Sequence, residues 1–203
     1  MGKIVCIRPL GGRTLQRLAV YCGSSPGNDT SFADATRALG SAMTARNIDL
    51  VYGGGKLGLM GIIADTILEG GGKAFGVIPE TLVGIEAAHN GLSEQHIVTN
   101  MHERKAKMTD LTDAFVALPG GIGTLDELFE AWTWNALGYH AKPFALLNIG
   151  GYWDPLVELV EKIASEGFMS RTRQKQLIIS DTIDDALDQL TEACKTATKG
   201  ITL

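Results

Sequence analysis

The stretch DAFVALPGGIGTLDELFEAW, residues 113–132, decides the fold of this chain. Its first half, DAFVALPGG, is a short apolar run that ends in glycines, the pattern of a buried strand that leads into a turn. Its second half, TLDELFEAW, is amphipathic and rich in carboxylates, as expected for a helix. A strand, a glycine-rich turn and a helix therefore follow one another directly, which is typical of a parallel sheet.

The same alternation continues along the chain. Further strands are predicted at LAVYCGSS, IDLVYGGG, KAFGVIPE, QHIVT, PFALLNIGG and LIISD, with helical segments between them. This order predicts βαβ crossovers and an α/β fold in which a doubly wound parallel sheet lies between two layers of helices, α/β/α. We expect a single domain over residues 18–203, preceded by an N-terminal extension, residues 1–17, that is a candidate for a mobile segment.

The composition argues against several classes of protein. Of 203 residues, 45% are hydrophobic and 20% are charged, as in a globular domain. The net charge of −5 disfavours nucleic acid or an anionic membrane as a partner. We expect no membrane span and no secretory leader. Cys6, Cys22 and Cys194 are scattered and fit buried thiols in a reducing compartment, so we expect a cytoplasmic protein.

Three predicted strands end in turns rich in glycine or serine: CGSS (22–25), YGGG (52–55) and LPGG (118–121). In doubly wound sheets, ligands bind beyond the carboxyl ends of the strands, so we expect these turns to meet along one edge. Ser24 and Ser25 are equally suited to capping a helix and to contacting a ligand through their hydroxyl groups.

The turn after residue 118 has two interpretations. In the simpler one, Gly120, Gly121 and Gly123 supply positive φ angles, and Thr124 with Glu127 forms a capping box. In the functional one, bare N–H groups at a helix N-terminus bind a phosphate. One helix start rarely needs three glycines. A carboxylate beside a phosphate is electrostatically unfavourable, so its presence there indicates a function. These two points favour the functional interpretation.

A second glycine cluster, GGGKLGLMG (53–61), competes with the first. Gly53, Gly55 and Gly58 satisfy the dinucleotide pattern G-x-G-x-x-G, and Glu80 stands where a ribose-binding acid would follow. The pattern follows the second predicted strand rather than the first, which weakens it. Close packing of a helix on a strand explains the same glycines equally well.

The segment MHERKAKM (101–108) places Arg104, Lys105 and Lys107 on a predicted helix that Asn100 could cap. A run of charges is usually a solvated face. The strand after this helix, however, leads directly into the LPGG turn, so one of these cations could reach the same pocket. The histidines lack the spacing of metal ligands, and we predict no metal site.

Together, PGGIGTLDE, MHERK, GGGKLGLMG and CGSSPG resemble the Lonely Guy (LOG) family of cytokinin-activating phosphoribohydrolases. The similarity runs from about residue 18 to beyond residue 180 and includes TWNALGYHAKPFALLN, GYWDPL and EGFMS. The resemblance implies a Rossmann-like fold, a homodimer or larger homo-oligomer, and no cofactor. It also implies hydrolysis of the N-glycosidic bond of nucleoside 5′-monophosphates, which releases a free base and ribose 5-phosphate.

Position by position, the resemblance makes Arg104 and Glu127 the catalytic pair. Cleavage of the glycosidic bond passes through a state with positive charge on the sugar, which a carboxylate can stabilise while it orients or deprotonates water. Whether Arg104 acts on the base, on the ribose or on Glu127 is left open. The expected substrate or phosphate contacts are Gly120, Gly121, Gly123, Thr124, Lys105, Glu86, Thr133, Ser24, Ser25, Gly54 and Gly55.

Three other functions remain as alternatives. The first is an NAD(P)-dependent oxidoreductase that uses the second glycine cluster and Glu80. The second is a non-catalytic carrier that holds a nucleotide or cofactor in the same fold. The third is a pyridoxal-phosphate decarboxylase, which needs a Schiff-base lysine; the candidates are Lys56 and Lys105, and both look better suited to phosphate or solvent.

Overall fold

The computed structural model describes residues 14–84 and 87–197. Within these ranges the strands are β1 (Arg17–Tyr21), β2 (Asp49–Tyr52), β3 (Ala74–Pro79), β4 (Glu94–Val98), β5 (Ala114–Ala117), β6 (Phe144–Leu147) and β7 (Leu177–Ser180). The helices are α1 (Thr30–Ala45), α2 (Gly58–Glu69), α3 (Met101–Leu111), α4 (Ile122–Ala136), α5 (Asp154–Ser165), α6 (Arg171–Gln174) and α7 (Ile183–Thr196). All seven predicted strands are present, including the weak one at QHIVT.

The strands form one sheet in the order β4-β3-β2-β1-β5-β6-β7, and every neighbouring pair is parallel. The chain winds outward from β1 to β4, returns to the centre, and then winds outward again from β5 to β7. The order therefore reverses between β1 and β5, which pair over Leu18–Ala114 to Tyr21–Ala117. The predicted doubly wound sheet is confirmed.

Alternate residues of each strand face the two layers of helices. In β1, Leu18 and Val20 pack in the same cluster as residues of α1, α2 and α7, whereas Ala19 and Tyr21 pack with residues of α3, α4 and α5. Burial on both faces explains why the strands read as nearly continuous apolar runs. The predicted α/β/α layers are thus confirmed.

Local signals fix where several helices begin. Asp29 caps α1, and its carboxylate accepts the Ser31 N–H at 2.8 Å. Asn100 caps α3 in the same way and accepts the Glu103 N–H at 2.9 Å. The Asn100 cap was expected from the sequence. In both helices a short polar side chain satisfies an N–H group that the helix start leaves without a partner.

Hydrogen bonds join the start of β1 to the residue just before β5. The N–H groups of Gln16 and Arg17 both donate to the Asp113 carboxylate at 3.0 Å, and Leu15 packs in the core. Residues 1–13, which hold most of the predicted extension and Cys6, lie outside the described residues, whereas Cys22 and Cys194 are buried thiols. Among the described helices, none is long and apolar enough to cross a membrane.

Gly58, the first residue of α2, lies against the turn after β1. Its φ angle is +58°, and a Cβ atom there would overlap the backbone of Ser24 and Ser25. The N–H of the next residue, Leu59, donates to the Gly23 carbonyl at 3.0 Å. This glycine therefore allows a helix to approach a neighbouring turn closely.

We predict that Gly58→Ala lowers the free energy of unfolding by about 2–4 kcal/mol, because the new methyl group clashes with backbone and favours a different φ angle. Urea unfolding followed by circular dichroism measures the change. Gly84→Ala is the matched control, since a Cβ atom at Gly84 meets nothing within 4 Å and its φ is not positive. Equal stability of the two variants would contradict this packing role.

His140 is a buried, uncharged histidine in the segment before β6. Its ring lies 5.4 Å from that of Phe115, and its Nδ1 accepts the Lys142 N–H. Burial, followed by the charge of Lys142, lowers the pKa of His140 from 6.5 to about 4, although a hydrogen bond with the Ala131 backbone opposes this shift. The unfolded chain therefore takes up this proton at higher pH than the folded chain.

Because the folded pKa is depressed, the contribution of His140 to stability is present above about pH 6.5 and is lost as the pH falls toward about 4. When the pH falls from about 7 to about 4.5, the free energy of unfolding should decrease by about 2 kcal/mol less in His140→Gln than in the unsubstituted chain. Urea unfolding at the two pH values tests this. The exposed His102→Gln is the control and should follow the unsubstituted chain.

Candidate active site

The three glycine- and serine-rich turns meet at the carboxyl edge of the sheet, as predicted. The Gly23 N–H after β1 donates to the Pro119 carbonyl after β5 at 3.2 Å. The start of α2, which follows the turn after β2, packs on Ser24. The site therefore lies beside the reversal of strand order, where doubly wound sheets place their ligands.

Helix α4 begins without a side-chain cap. Its N-cap is Gly121, its first helical residue is Ile122, and its first intrahelical bond runs from the Leu125 N–H to the Gly121 carbonyl. The simpler interpretation is therefore wrong in both parts. Thr124 is a buried residue within the first turn rather than the N-cap, and none of Gly120, Gly121 and Gly123 has a positive φ angle.

The glycines of this turn have two different kinds of surroundings. A Cβ atom on Gly120 would overlap the Thr124 side chain and lie 2.9 Å from the Gly23 nitrogen, so Gly120 permits close packing of the two turns. A Cβ atom on Gly121 or Gly123 would meet nothing within 4 Å. Space is therefore open beside Gly121 and Gly123, and the partial positive charge at the start of α4 suits an anion.

Arg104 and Glu127 come together beside this turn. Arg104 lies in the first turn of α3 and Glu127 in the second turn of α4, and their Nη2 and Oε1 atoms are 3.7 Å apart. Their side chains are only 5% and 12% exposed, so solvent screens the pair weakly. Arg104 also donates to the Gly53 carbonyl at 3.3 Å, which ties it to the turn after β2.

The negative charge of Glu127 acts on Tyr21 at the end of β1 and on Cys22, the next residue. Burial, followed by the negative charges of Glu127 and Glu130, raises the pKa of the Tyr21 hydroxyl, while Arg104 acts in the opposite direction. Burial and then Glu127 also raise the pKa of the Cys22 thiol. The charge of Glu127, on α4, therefore influences residues of the central strand β1 at the edge where the turns meet.

Lys105, the neighbour of Arg104, is held in ion pairs. Its Nζ atom lies 3.1 Å from an oxygen of Asp126 and also pairs with Glu130. Burial lowers the pKa of Lys105, but the hydrogen bonds and charges of Glu130 and Asp126 outweigh it, so the net shift is upward. A raised pKa keeps the amine protonated, which is the opposite of what a Schiff-base lysine requires.

The other predicted contacts are distributed unevenly. Ser24 and Ser25 are exposed in the turn after β1. Gly54 and Gly55 lie in the turn after β2, where their backbone pairs with residues 87–89 in an isolated bridge. Glu86 lies outside the described residues.

Thr133 is exposed on α4 but lies six residues beyond Glu127, which is about 9 Å along the helix axis. Together with Trp132, Phe144 and Arg173, Thr133 lines a half-open cavity of about 970 Å³. Phe144 begins β6, and the end of α7 also borders this cavity, so it lies toward the amino ends of the strands. The structure therefore does not bring Thr133 to the glycine turn, and the cavity is separate from it.

The second glycine cluster serves packing at two of its positions. A Cβ atom on Gly53 would overlap the Arg104 guanidinium, and one on Gly58 would overlap the turn after β1. Glu80 is exposed in the short 3-10 turn after β3. Among the described residues, no group of His, Cys, Asp and Glu side chains is arranged to hold a metal ion.

Tyr152 is a site neighbour that the sequence analysis missed. Its hydroxyl donates to the Gly120 carbonyl at 2.6 Å, and its ring packs edge-on against Phe32 of α1. Tyr152 follows β6, which is adjacent to β5, so only the strand order brings it to the glycine turn. The available signal was the GYW sequence after a strand that ends at the same edge.

Comparisons with known proteins identify relatives of this chain. A family model described as "possible lysine decarboxylase" matches residues 60–190. The chain is 51% identical over 164 residues to a probable cytokinin riboside 5′-monophosphate phosphoribohydrolase of Oryza sativa subsp. japonica, covering 81% of this chain and 73% of that protein. It is 45% identical over 175 residues to a cytokinin riboside 5′-monophosphate phosphoribohydrolase of Rhodococcoides fascians, covering 86% and 88%.

Solved structures share the fold at low sequence identity. The molybdenum cofactor binding protein from Rippkaea orientalis matches with a TM-score of 0.67 and 18% identity, over 88% of this chain and 96% of that one. The Moco carrier protein from Chlamydomonas reinhardtii matches with a TM-score of 0.66 and 17% identity, over 90% and 99%. At these identities the likeness shows the Rossmann-like fold alone.

Proposed function

The chain belongs to the Lonely Guy (LOG) family of cytokinin riboside 5′-monophosphate phosphoribohydrolases, and from this premise we propose that it hydrolyses the N-glycosidic bond of N6-modified adenosine 5′-monophosphates. The products are the free base, a cytokinin or adenine, and ribose 5-phosphate. The observation that carries the proposal is the nearly buried Arg104–Glu127 pair, 3.7 Å apart, beside the uncapped start of α4.

The phosphate of the substrate lies against the first N–H groups of α4 in this proposal. Gly121 and Gly123 leave space for the phosphate oxygens, and the helix N-terminus favours their negative charge. The ribose then extends along α4 toward Glu127, one helical turn after Thr124. Binding energy from the phosphate is remote from the bond that breaks, so it supports turnover as well as affinity.

Glu127 acts on the anomeric carbon. As the C1′–N9 bond breaks, its electron pair leaves with the base and positive charge develops on the sugar, which the Glu127 carboxylate stabilises. Water adds its oxygen to C1′ and gives a proton to Glu127, the departing base takes up a proton from solvent, and Glu127 returns its proton to solvent, so that one water is consumed per bond broken. Arg104 pairs with the same carboxylate and contacts Gly53, so it orients Glu127 and places a positive charge near the leaving base.

The remaining contacts in the proposal surround this pair. Ser24 and Ser25 approach the phosphate from the turn after β1, and the backbone of Gly54 and Gly55 forms a second wall. Lys105 contributes through Asp126 and Glu130 of α4, the helix that carries Glu127. Glu86 and Thr133 remain substrate contacts only by resemblance to the family.

The decarboxylase alternative loses support from the site. The matching family description names a possible lysine decarboxylase, but Lys105 is paired with two carboxylates and Lys56 is exposed. The oxidoreductase alternative loses support because Gly53 and Gly58 are occupied by packing contacts. The carrier alternative does not account for the Arg104–Glu127 pair, because a non-catalytic protein needs no catalytic residues.

We further propose that the chain is cytoplasmic and forms a homodimer or a larger homo-oligomer. The buried thiols Cys22 and Cys194 are consistent with a reducing compartment. On and just after α4, the apolar side chains of Phe129, Leu137 and Tyr139 are exposed to different degrees, which is the property expected of a surface that another copy covers.

We predict that Glu127→Gln lowers kcat by roughly 10²–10⁴-fold, because an amide neither carries the charge nor accepts the proton. Chromatography of the released base measures the rate, and circular dichroism verifies folding. Glu158→Gln on the exposed face of α5 is the matched control and should retain full activity. A near-normal rate for Glu127→Gln would exclude the proposed role.

We also predict that AMP and isopentenyladenosine monophosphate are cleaved, whereas adenosine reacts with a kcat/KM lower by roughly 10²-fold or more, since it lacks the charged group that the start of α4 binds. Incubation with each compound, followed by separation of the free bases, gives the order of preference. Cleavage of adenosine as fast as AMP would show that the phosphate site is misplaced.

A further inference from the structure

Tyr152 makes a hydrogen bond that bears directly on the glycine turn. Its hydroxyl donates to the Gly120 carbonyl at 2.6 Å, a short distance even for an O–H donor. Tyr152 is 40% exposed, so its phenol could be hydrated instead of bonded to the protein. Burial alone therefore does not explain why the Tyr152 hydroxyl bonds to the Gly120 carbonyl rather than to water.

A folded turn after β6 delivers Tyr152 to this position. Asn148, which is buried, receives the N–H of Trp153 on its side-chain oxygen at 2.7 Å, and its amide group donates to Asp154 and Asp181. Gly150 and Gly151 both have positive φ angles, which makes the turn tight. The ring of Tyr152 is then held edge-on between Phe32 and Trp153, at centroid distances of 5.6 Å and 4.9 Å.

The hydrogen bond fixes the orientation of one peptide group. In a trans peptide, the Gly120 carbonyl and the Gly121 N–H point in opposite directions, so a donor on the carbonyl determines where the N–H points. Neither residue has a Cβ atom, so no side chain of its own restrains the orientation of this peptide. A donor on the carbonyl also polarises the peptide and strengthens its N–H as a donor.

We infer that Tyr152 is a positioning residue for the phosphate of the substrate: its hydroxyl holds the Gly120–Gly121 peptide so that the Gly121 N–H faces the anion at the start of α4. The inference rests on the proposed function, because it takes a phosphate monoester as the ligand of this turn. Tyr152 acts through the peptide group and does not take part in the reaction at C1′.

Tyr152→Phe tests the inference, since it removes the hydroxyl and keeps the ring contacts. Tyr139→Phe is the matched control, because Tyr139 is 71% exposed and lies three residues after the end of α4, far from the glycine turn. Binding of inorganic phosphate and of ribose 5-phosphate to the full chain is measured by calorimetry and by the ligand-dependent rise in Tm. Steady-state kinetics with AMP, and inhibition by adenosine, complete the comparison.

The expected result is that Tyr152→Phe weakens both phosphate ligands, and lowers kcat/KM for AMP, by about tenfold, as for the loss of one hydrogen bond to a charged group. Inhibition by adenosine and the Tm without ligand should stay close to those of Tyr139→Phe. A merely structural role would lower the Tm and weaken phosphate and adenosine alike, and that pattern overturns the inference. Equal phosphate binding by the two variants, or no phosphate binding by the unsubstituted chain, also overturns it.

The two proposals fail in different ways. If the unsubstituted chain cleaves 5′-monophosphates and Tyr152→Phe matches Tyr139→Phe in every measurement, the positioning role is wrong and the proposed function stands. If no monophosphate is cleaved but phosphate binding still depends on the Tyr152 hydroxyl, the proposed function is wrong and the positioning role stands.

Discussion

The parallel pairing of β1 with β5 is the constraint on which the site depends. Because the order of strands reverses there, the chain returns to the centre of the sheet and sets the turn after β5 directly beside the turn after β1. The hydrogen bond from the Gly23 N–H to the Pro119 carbonyl joins these turns. Helices α3 and α4 then descend from the same edge and bring Arg104 and Glu127 together, although each helix follows a different strand.

The glycine excess of the chain, 25 residues in 203, reflects at least two physical requirements. Some glycines, such as Gly58 and Gly120, allow backbone segments to approach more closely than any side chain would permit. Others, such as Gly121 and Gly123, border open space at the start of α4. The first kind assembles the edge of the sheet, and the second kind lies where we propose that the phosphate of the substrate binds.

Periodicity and turn residues predicted the strands, the layers and the cap Asn100, because these features depend on residues close in sequence. The capping box at Thr124 was wrong because Gly120 packs against Thr124 and Gly23, and α4 starts before Thr124. The partners of Lys105 and the contact of Tyr152 with Gly120 depend on which strands are neighbours. A single sequence does not state that order, and so these contacts were not predicted.

Every crossover helix of this fold starts where its preceding strand ends, so the amino-terminal ends of α1, α2, α3 and α4 all point toward one rim of the sheet. Each such end carries roughly half a positive elementary charge. The rim therefore offers an attractive local potential to a phosphate dianion even though the whole chain has a charge of −5. Long-range repulsion from the rest of the molecule and short-range attraction at the rim together favour small anions that arrive at this one side.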